Sequence, residues 1–162
     1  PDIVLVDDLH VGSCWRFKGT SGQLGIVLPV PVIISHITVD HVSRKYTPLT
    51  NLALRTIIIW GVVDAPENLE KLERRTANVS AKLTELIGDR SGPPITGHFQ
   101  FTPLAIFDYD IHANSHIQTF PLLDDILGLK MDFGVVVVEI VDNWGSEAWT
   151  CLHRVRIHGE QK

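Results

Sequence analysis

A mostly β fold, an antiparallel β-sandwich of jelly-roll type carrying one inserted amphipathic helix, is what the apolar pattern of this 162-residue chain predicts. Three observations lead there. Most apolar stretches are short runs rich in Val and Ile, separated by clusters of Gly, Pro, Asn and Asp that turn the chain. The last run, residues 151–158, alternates as a strand with one buried face does. One segment alone, residues 64–97, changes to helical spacing. With 44% hydrophobic and 20% charged residues, the chain is long enough for a single domain, residues 1–162, with its own core.

In chain order, residues 3–6 are a hydrophobic, strand-like start, and 23–28 form a short candidate strand. Residues 32–42 are a long Ile- and Val-rich strand ending in Asp40 and His41. Within 54–63, Ile57-Ile58-Ile59-Trp60 is apolar on both faces, as in an inner strand. Asp64 then reads as a helix N-cap, with Pro66 in the first turn and Glu67 closing a capping box. Leu69, Leu72, Val79, Leu83, Leu86 and Ile87 would form the stripe of one helix of about five turns. Gly88 and Ser91-Gly92-Pro93-Pro94 end it. Short strands follow at 98–101, 105–108 and 116–120, with a short helix at 122–129. Residues 133–141, with four successive valines, repeat the inner-strand character. In 151–158, Cys151, His153, Val155 and Ile157 face one way and Arg154 and Arg156 the other. Such a set of strands suits a galactose-binding-like jelly roll.

The net charge of −5 with scattered Lys and Arg argues against a nucleic-acid or anionic-membrane surface. No apolar run approaches 18 residues and no leader-like segment opens the chain, so it is expected to be a domain cut from a longer protein. No nucleophile elbow, phosphate-binding Gly loop, Cys-x-x-Cys or His-Glu-x-x-His motif is present, so no enzyme is expected. His112 and His116 lack a third metal ligand, and Asp7-Asp8 near His10 read as a solvated acidic loop. His153, on the buried face of its strand, needs a hydrogen-bond partner. Asn78-Val79-Ser80 is a glycosylation sequon, which makes Asn78 a candidate modification site. Cys14 and Cys151 are either buried free thiols or a bridge closing almost the whole chain. A bridge would contribute roughly 5 kcal/mol by loop entropy and imply an oxidising compartment.

Gly12-Ser13-Cys14-Trp15-Arg16-Phe17-Lys18-Gly19 resembles the opening of a SUN domain. The resemblance continues through Ile37 to Val42, Ile57 to Gly61, Phe107 to Asp110 and Ile117 to Phe120. It is strongest at Asn143-Trp144-Gly145, Trp149-Thr150-Cys151 and Val155-Arg156-Ile157-His158-Gly159. These blocks cover most of the chain outside 64–97, in the family's order.

The resemblance implies a β-sandwich without catalysis that binds the C-terminal tails of KASH proteins, bridging nucleus to cytoskeleton as part of the LINC complex. It places the domain in the perinuclear or ER lumen, at the end of a membrane-anchored inner-nuclear-membrane protein trimerised by an upstream coiled coil. It pairs Cys14 with Cys151 in the family's disulfide. Its KASH-tail pocket maps onto Ser13, His41, Leu52, Trp149 and His153. Its cation loop maps onto Ile3, Val6, Asp8, Ser13 and His153, where the family holds potassium largely by backbone oxygens. Leu52 stands where animal members have a serine, Trp149 and His153 replace tyrosines, and Ser13 replaces an amide side chain. The helical insertion at 64–97 is expected to be absent from animal members, and the lid hairpin that precedes residue 1 in the family is expected to be missing. Such a fragment can be monomeric, and it has no spare thiol for a bridge to its partner. The competing function for the same sandwich is a carbohydrate-binding or ER quality-control module.

Overall fold

A computed structural model of the chain describes residues 2–7, 12–75 and 80–162. Asp8 of the expected cation loop, His10, Val79 and the sequon residue Asn78 lie outside them.

The strands form an antiparallel, nearly closed β structure. β1 (Trp15–Lys18) pairs with β7 (Trp149–Leu152) in a two-stranded sheet. The larger sheet runs in the order β4 (Phe101–Asp108), β3 (Thr56–Val62), β6 (Phe133–Ile140), β2 (Gly22–Asp40), β5 (Ile117–Pro121). β8 (Arg154–Gln161) also pairs with β2. β2 is long enough to belong to both layers. Its first half pairs with β6, and its second half lies between β5 and β8. The partner change falls at Pro29 and Pro31, where the register to β6 slips between Val27 and Val32. Proline lacks a backbone N–H and is tolerated at such a bulge.

That explains one correction: 23–28 and 32–42 are a single strand. The same holds for β4, which absorbs the expected 105–108 strand and starts at Phe101. Its Pro103 stands where the β3 register shifts, between Ile59 and Trp60. Residues 3–6 are not a strand either; Asp2–Leu5 is a 3-10 turn that buries Val4.

β3 is buried along its whole length. Ile57 and Ile59 enter the main core with Leu104, Phe133 and Val138, while Ile58, Trp60 and Val62 face a second cluster built on Leu83 and Phe101. This is why both faces of the strand are apolar.

The long helix expected over 64–87 is two helices, α1 (Pro66–Glu73) and α2 (Ala81–Ile87). Ser80 starts α2 by accepting the Leu83 N–H. The two helices serve different clusters. Leu69 and Leu72 pack on the main core, and Leu83, Leu86 and Ile87 on the second. Asp64 is not the cap of α1. The cap position is Ala65, with Pro66 in the first turn and no side-chain cap bond. α3 (Asp124–Leu129) matches the short helix expected at 122–129.

The last expected strand, 151–158, is cut at His153. β7 ends at Leu152 in the small sheet and β8 starts at Arg154 in the large one. His153 thus stands at a corner between two sheets.

Candidate functional site: a disulfide-stapled cavity with two buried histidines

The site is assembled where β1, β7, the end of β2 and the 3-10 turn Thr50–Leu52 meet. Cys14 and Cys151 form a disulfide with Cα atoms 5.8 Å apart. Arg16 lies opposite Cys151 in the β1–β7 ladder, and Ala53 bridges Cys151 on the other side. The turn between β6 and β7 is held by one side chain. The Asn143 amide donates to the Ser146 carbonyl and to Thr150 Oγ1, and its oxygen accepts the Gly145 and Ser146 N–H groups. Gly145 sits at φ 112°, a conformation that side chains resist. The Trp144 indole donates to the Tyr109 carbonyl, and Thr150 Oγ1 donates to Gly19. The Asn-Trp-Gly motif is therefore a turn that presents β7 to β1.

His41 follows β2 directly. Its backbone N–H donates to the His116 carbonyl, and its Nδ1 lies 3.0 Å from the Val42 carbonyl oxygen. The end of β2 is fixed by Asp40, whose fully buried carboxylate accepts from Arg154 and Arg156 of β8. Arg154 also reaches Asp7, tying in the N-terminal turn.

His153 meets His41 edge to face, with ring centroids 4.2 Å apart. Both residues are buried, His41 with 5% and His153 with 6% of its surface exposed. Among the described residues, His41 Nε2 and His153 Nδ1 have no hydrogen-bond partner. Buried polar atoms are rarely left so. Burial holds the His41 imidazole below its ordinary pKa against the opposing Val42 carbonyl, and His116 lowers it further. Burial, with His41 beside it, pushes His153 down to about 3. Both rings are neutral near pH 7.

The two histidines line a cavity of about 200 Å³ together with Arg16, Leu49, Leu52 and the disulfide. Its walls are mainly apolar, so what enters must be partly apolar. Of the five residues expected to form a tail pocket, His41, Leu52 and His153 line this one space. Ser13 is buried beside Cys14, and Trp149 is partly exposed on β7 with the Arg16 guanidinium 4.7 Å over its ring. Neither belongs to the lining itself. Arg16, Thr47 and Leu49 were not singled out from the sequence. Arg16 had no signal beyond its place in the cysteine motif, and the loop residues had none. The Asp40 triad did have one: an aspartate closing an apolar strand, and two arginines two apart on another.

Cys14, Cys151 and His153 bring possible metal-ligand atoms within 4.8 Å of one another. The sulfurs are bonded to each other, however, and offer no thiolate. In the expected cation loop, the Ile3 carbonyl accepts the Val6 N–H, and Ile3 and Val6 expose their side chains. The Asp7 carboxylate is taken by Arg154.

Comparison with known proteins agrees with this architecture. The Sad1 / UNC-like C-terminal family matches residues 1–81 and 69–161, two segments that meet in the helical stretch between β3 and β4. SUN domain-containing protein 5 of Homo sapiens is 30% identical over 161 residues, 98% of this chain and 33% of that protein. Sperm-associated antigen 4 protein of Homo sapiens is 31% identical over 161 residues, 98% of this chain and 29% of that protein. The chain thus spans about a third of the length of these relatives. Among solved structures, the C-terminal domain of a chitobiase from Bacteroides fragilis aligns with TM-score 0.55 at 10% identity, over 98% of this chain and 80% of that one. An F5/8 type C domain from the same organism aligns with TM-score 0.51 at 8% identity, over 99% and 80%. These last two share the galactose-binding-like fold with it. With the family matched along nearly its whole length and both cysteines joined in one bridge, the chain belongs to the Sad1 / UNC-like C-terminal family, that of the SUN domains.

Proposed function

We propose that the chain is a non-catalytic anchoring module of a nuclear-envelope protein. It receives the C-terminal tail of a KASH protein in the perinuclear space and so links the nucleus to the cytoskeleton. One observation carries this: a cavity mainly apolar in its walls is lined by two buried imidazoles, each with one ring nitrogen that has no partner among the described residues. A tail's last side chains suit the apolar walls, and its terminal carboxylate suits the histidines. Arg16 adds a cation at the rim, and Trp149 beside it offers a ring to a proline-rich segment. Leu52, in place of a hydroxyl, favours an apolar contact at that point. The loop from Ile3 to Ser13 holds potassium through backbone oxygens and keeps β1 in place. In the whole protein the module is carried as a trimer on a membrane-anchored stalk.

His41→Ala removes one of the two imidazoles that line the cavity. Tail affinity, measured by calorimetry against a KASH-tail peptide, is expected to fall about 10-fold or more, the worth of one charge-assisted hydrogen bond. Unchanged affinity in a folded variant would place the tail elsewhere.

A further inference from the structure

We propose that Arg16 is the specificity-determining residue of the cavity: its guanidinium supplies the positive charge that pairs with the tail's terminal carboxylate, so that the site selects a free chain end. This rests on the tail-binding function proposed above and names the residue that gives that site its selectivity.

The alternation of β1 sets the direction of Arg16. Trp15 and Phe17 pack on the main core with ring centroids 4.7 Å apart, which leaves Arg16 and Lys18 exposed on the opposite face. On β7, Cys151 stands opposite Arg16 in the ladder, and Trp149, two residues earlier, shares the face of Cys151. The Arg16 guanidinium lies 4.7 Å over the Trp149 ring. A planar cation stacked in this way has given up rotamer freedom before any ligand arrives, and it keeps its N–H edge for a partner.

The lining offers one charge. Among the described residues that line the cavity, Arg16 is the one permanently ionised side chain, and none is a carboxylate. His41 and His153 are neutral near pH 7 and bring no charge of their own. A carboxylate that leaves water for mainly apolar walls loses hydration, and only a paired charge or strong donors offset that loss. Without Arg16 the amidated end, which is uncharged, would suit such walls better than the acid. The chain as a whole bears a net charge of −5 and repels an anion at long range, so the attraction has to be local. A guanidinium meets a carboxylate with two parallel N–H donors, a fit that an ammonium does not reproduce. Arg44 and Lys45 are exposed in a neighbouring recess beside His41 and do not line the cavity.

The test is the affinity of the full-length protein that carries this chain for a KASH-tail peptide, as free acid and as C-terminal amide, read by competition fluorescence anisotropy. In Arg16→Gln the acid-to-amide ratio is expected to fall about 10-fold, the loss of one charge-assisted contact, while affinity for the amide changes less than about 2-fold. Arg16→Lys keeps the charge without the fork, and an intermediate ratio is expected. The double variant Arg44→Gln, Lys45→Gln should leave the ratio within about 2-fold. A ratio that stays within about 2-fold of the unmodified protein's in both Arg16 variants overturns this inference and leaves tail binding intact. So does an equal fall in the double variant, which would assign the preference to the general field around the cavity. Equal affinity of the unmodified protein for acid and amide overturns the tail-binding function itself.

Discussion

Asp40 organises the site without entering it. Its carboxylate is wholly buried between Arg154 and Arg156, and Arg154 passes the contact on to Asp7. One side chain thus joins the end of β2, the start of β8 and the N-terminal turn, and both histidines stand one residue from this joint. Asp40→Asn keeps the shape and removes the charge, leaving a largely buried guanidinium short of its partner. A loss of about 3 kcal/mol is expected, read as a lower urea midpoint at unchanged slope. A midpoint within about 0.5 kcal/mol of the unmodified chain would mean that the pair only offsets its own desolvation. At this scale the sequence was legible where chemistry is local. His153 could be found because a polar residue on the buried face of a strand demands a partner, while His41 entered through the resemblance. The resemblance added Leu52. Thr47 and Leu49 could not be found, because their place at the cavity comes from how a loop folds back and not from residue type.

The elements explain why the site has the form it does. β1 and β7 are short, pair only over four residues, and are joined by the Cys14–Cys151 bridge next to that ladder. Neither α1 nor α2 lines the cavity, and α2 covers Trp60 and Ile58. Its attachment is polar as well as apolar. Buried Glu139 of β6 accepts from the Trp60 indole at 2.7 Å and from Arg90 at 2.9 Å, beyond the end of α2. Glu139→Ala leaves the buried indole N–H unpaired and frees Arg90. The expected cost is about 1–3 kcal/mol, with faster amide exchange in 81–90 and tail binding unchanged. Unaltered exchange there would show that the apolar contacts alone hold α2. The helical period of 64–87 was visible, yet its continuity was not. Leu69 and Leu83 fit one stripe on paper, while in space they belong to clusters on opposite faces of β3. A one-dimensional pattern does not carry that distinction. Nor did the alternation in 151–158 reveal that the strand changes sheet at His153, since both halves keep the same period.

For the whole molecule, the bridge between residues 14 and 151 closes nearly the entire chain and contributes roughly 5 kcal/mol by loop entropy. It also fixes the distance between Cys14 and Cys151, both of which line the cavity. The fold is shared with galactose-binding-like domains, but the stapled cavity with its paired histidines is the part that speaks of function. The central claim is that this cavity receives a free chain end. The most direct measurement is the affinity of the chain, carried in its full-length protein, for a KASH-tail peptide with a free carboxylate against the same peptide amidated. A preference for the acid of about 10- to 100-fold is predicted, the worth of the charge-assisted contacts at His41 and His153. Equal affinity for the two peptides, or binding of neither, would contradict it.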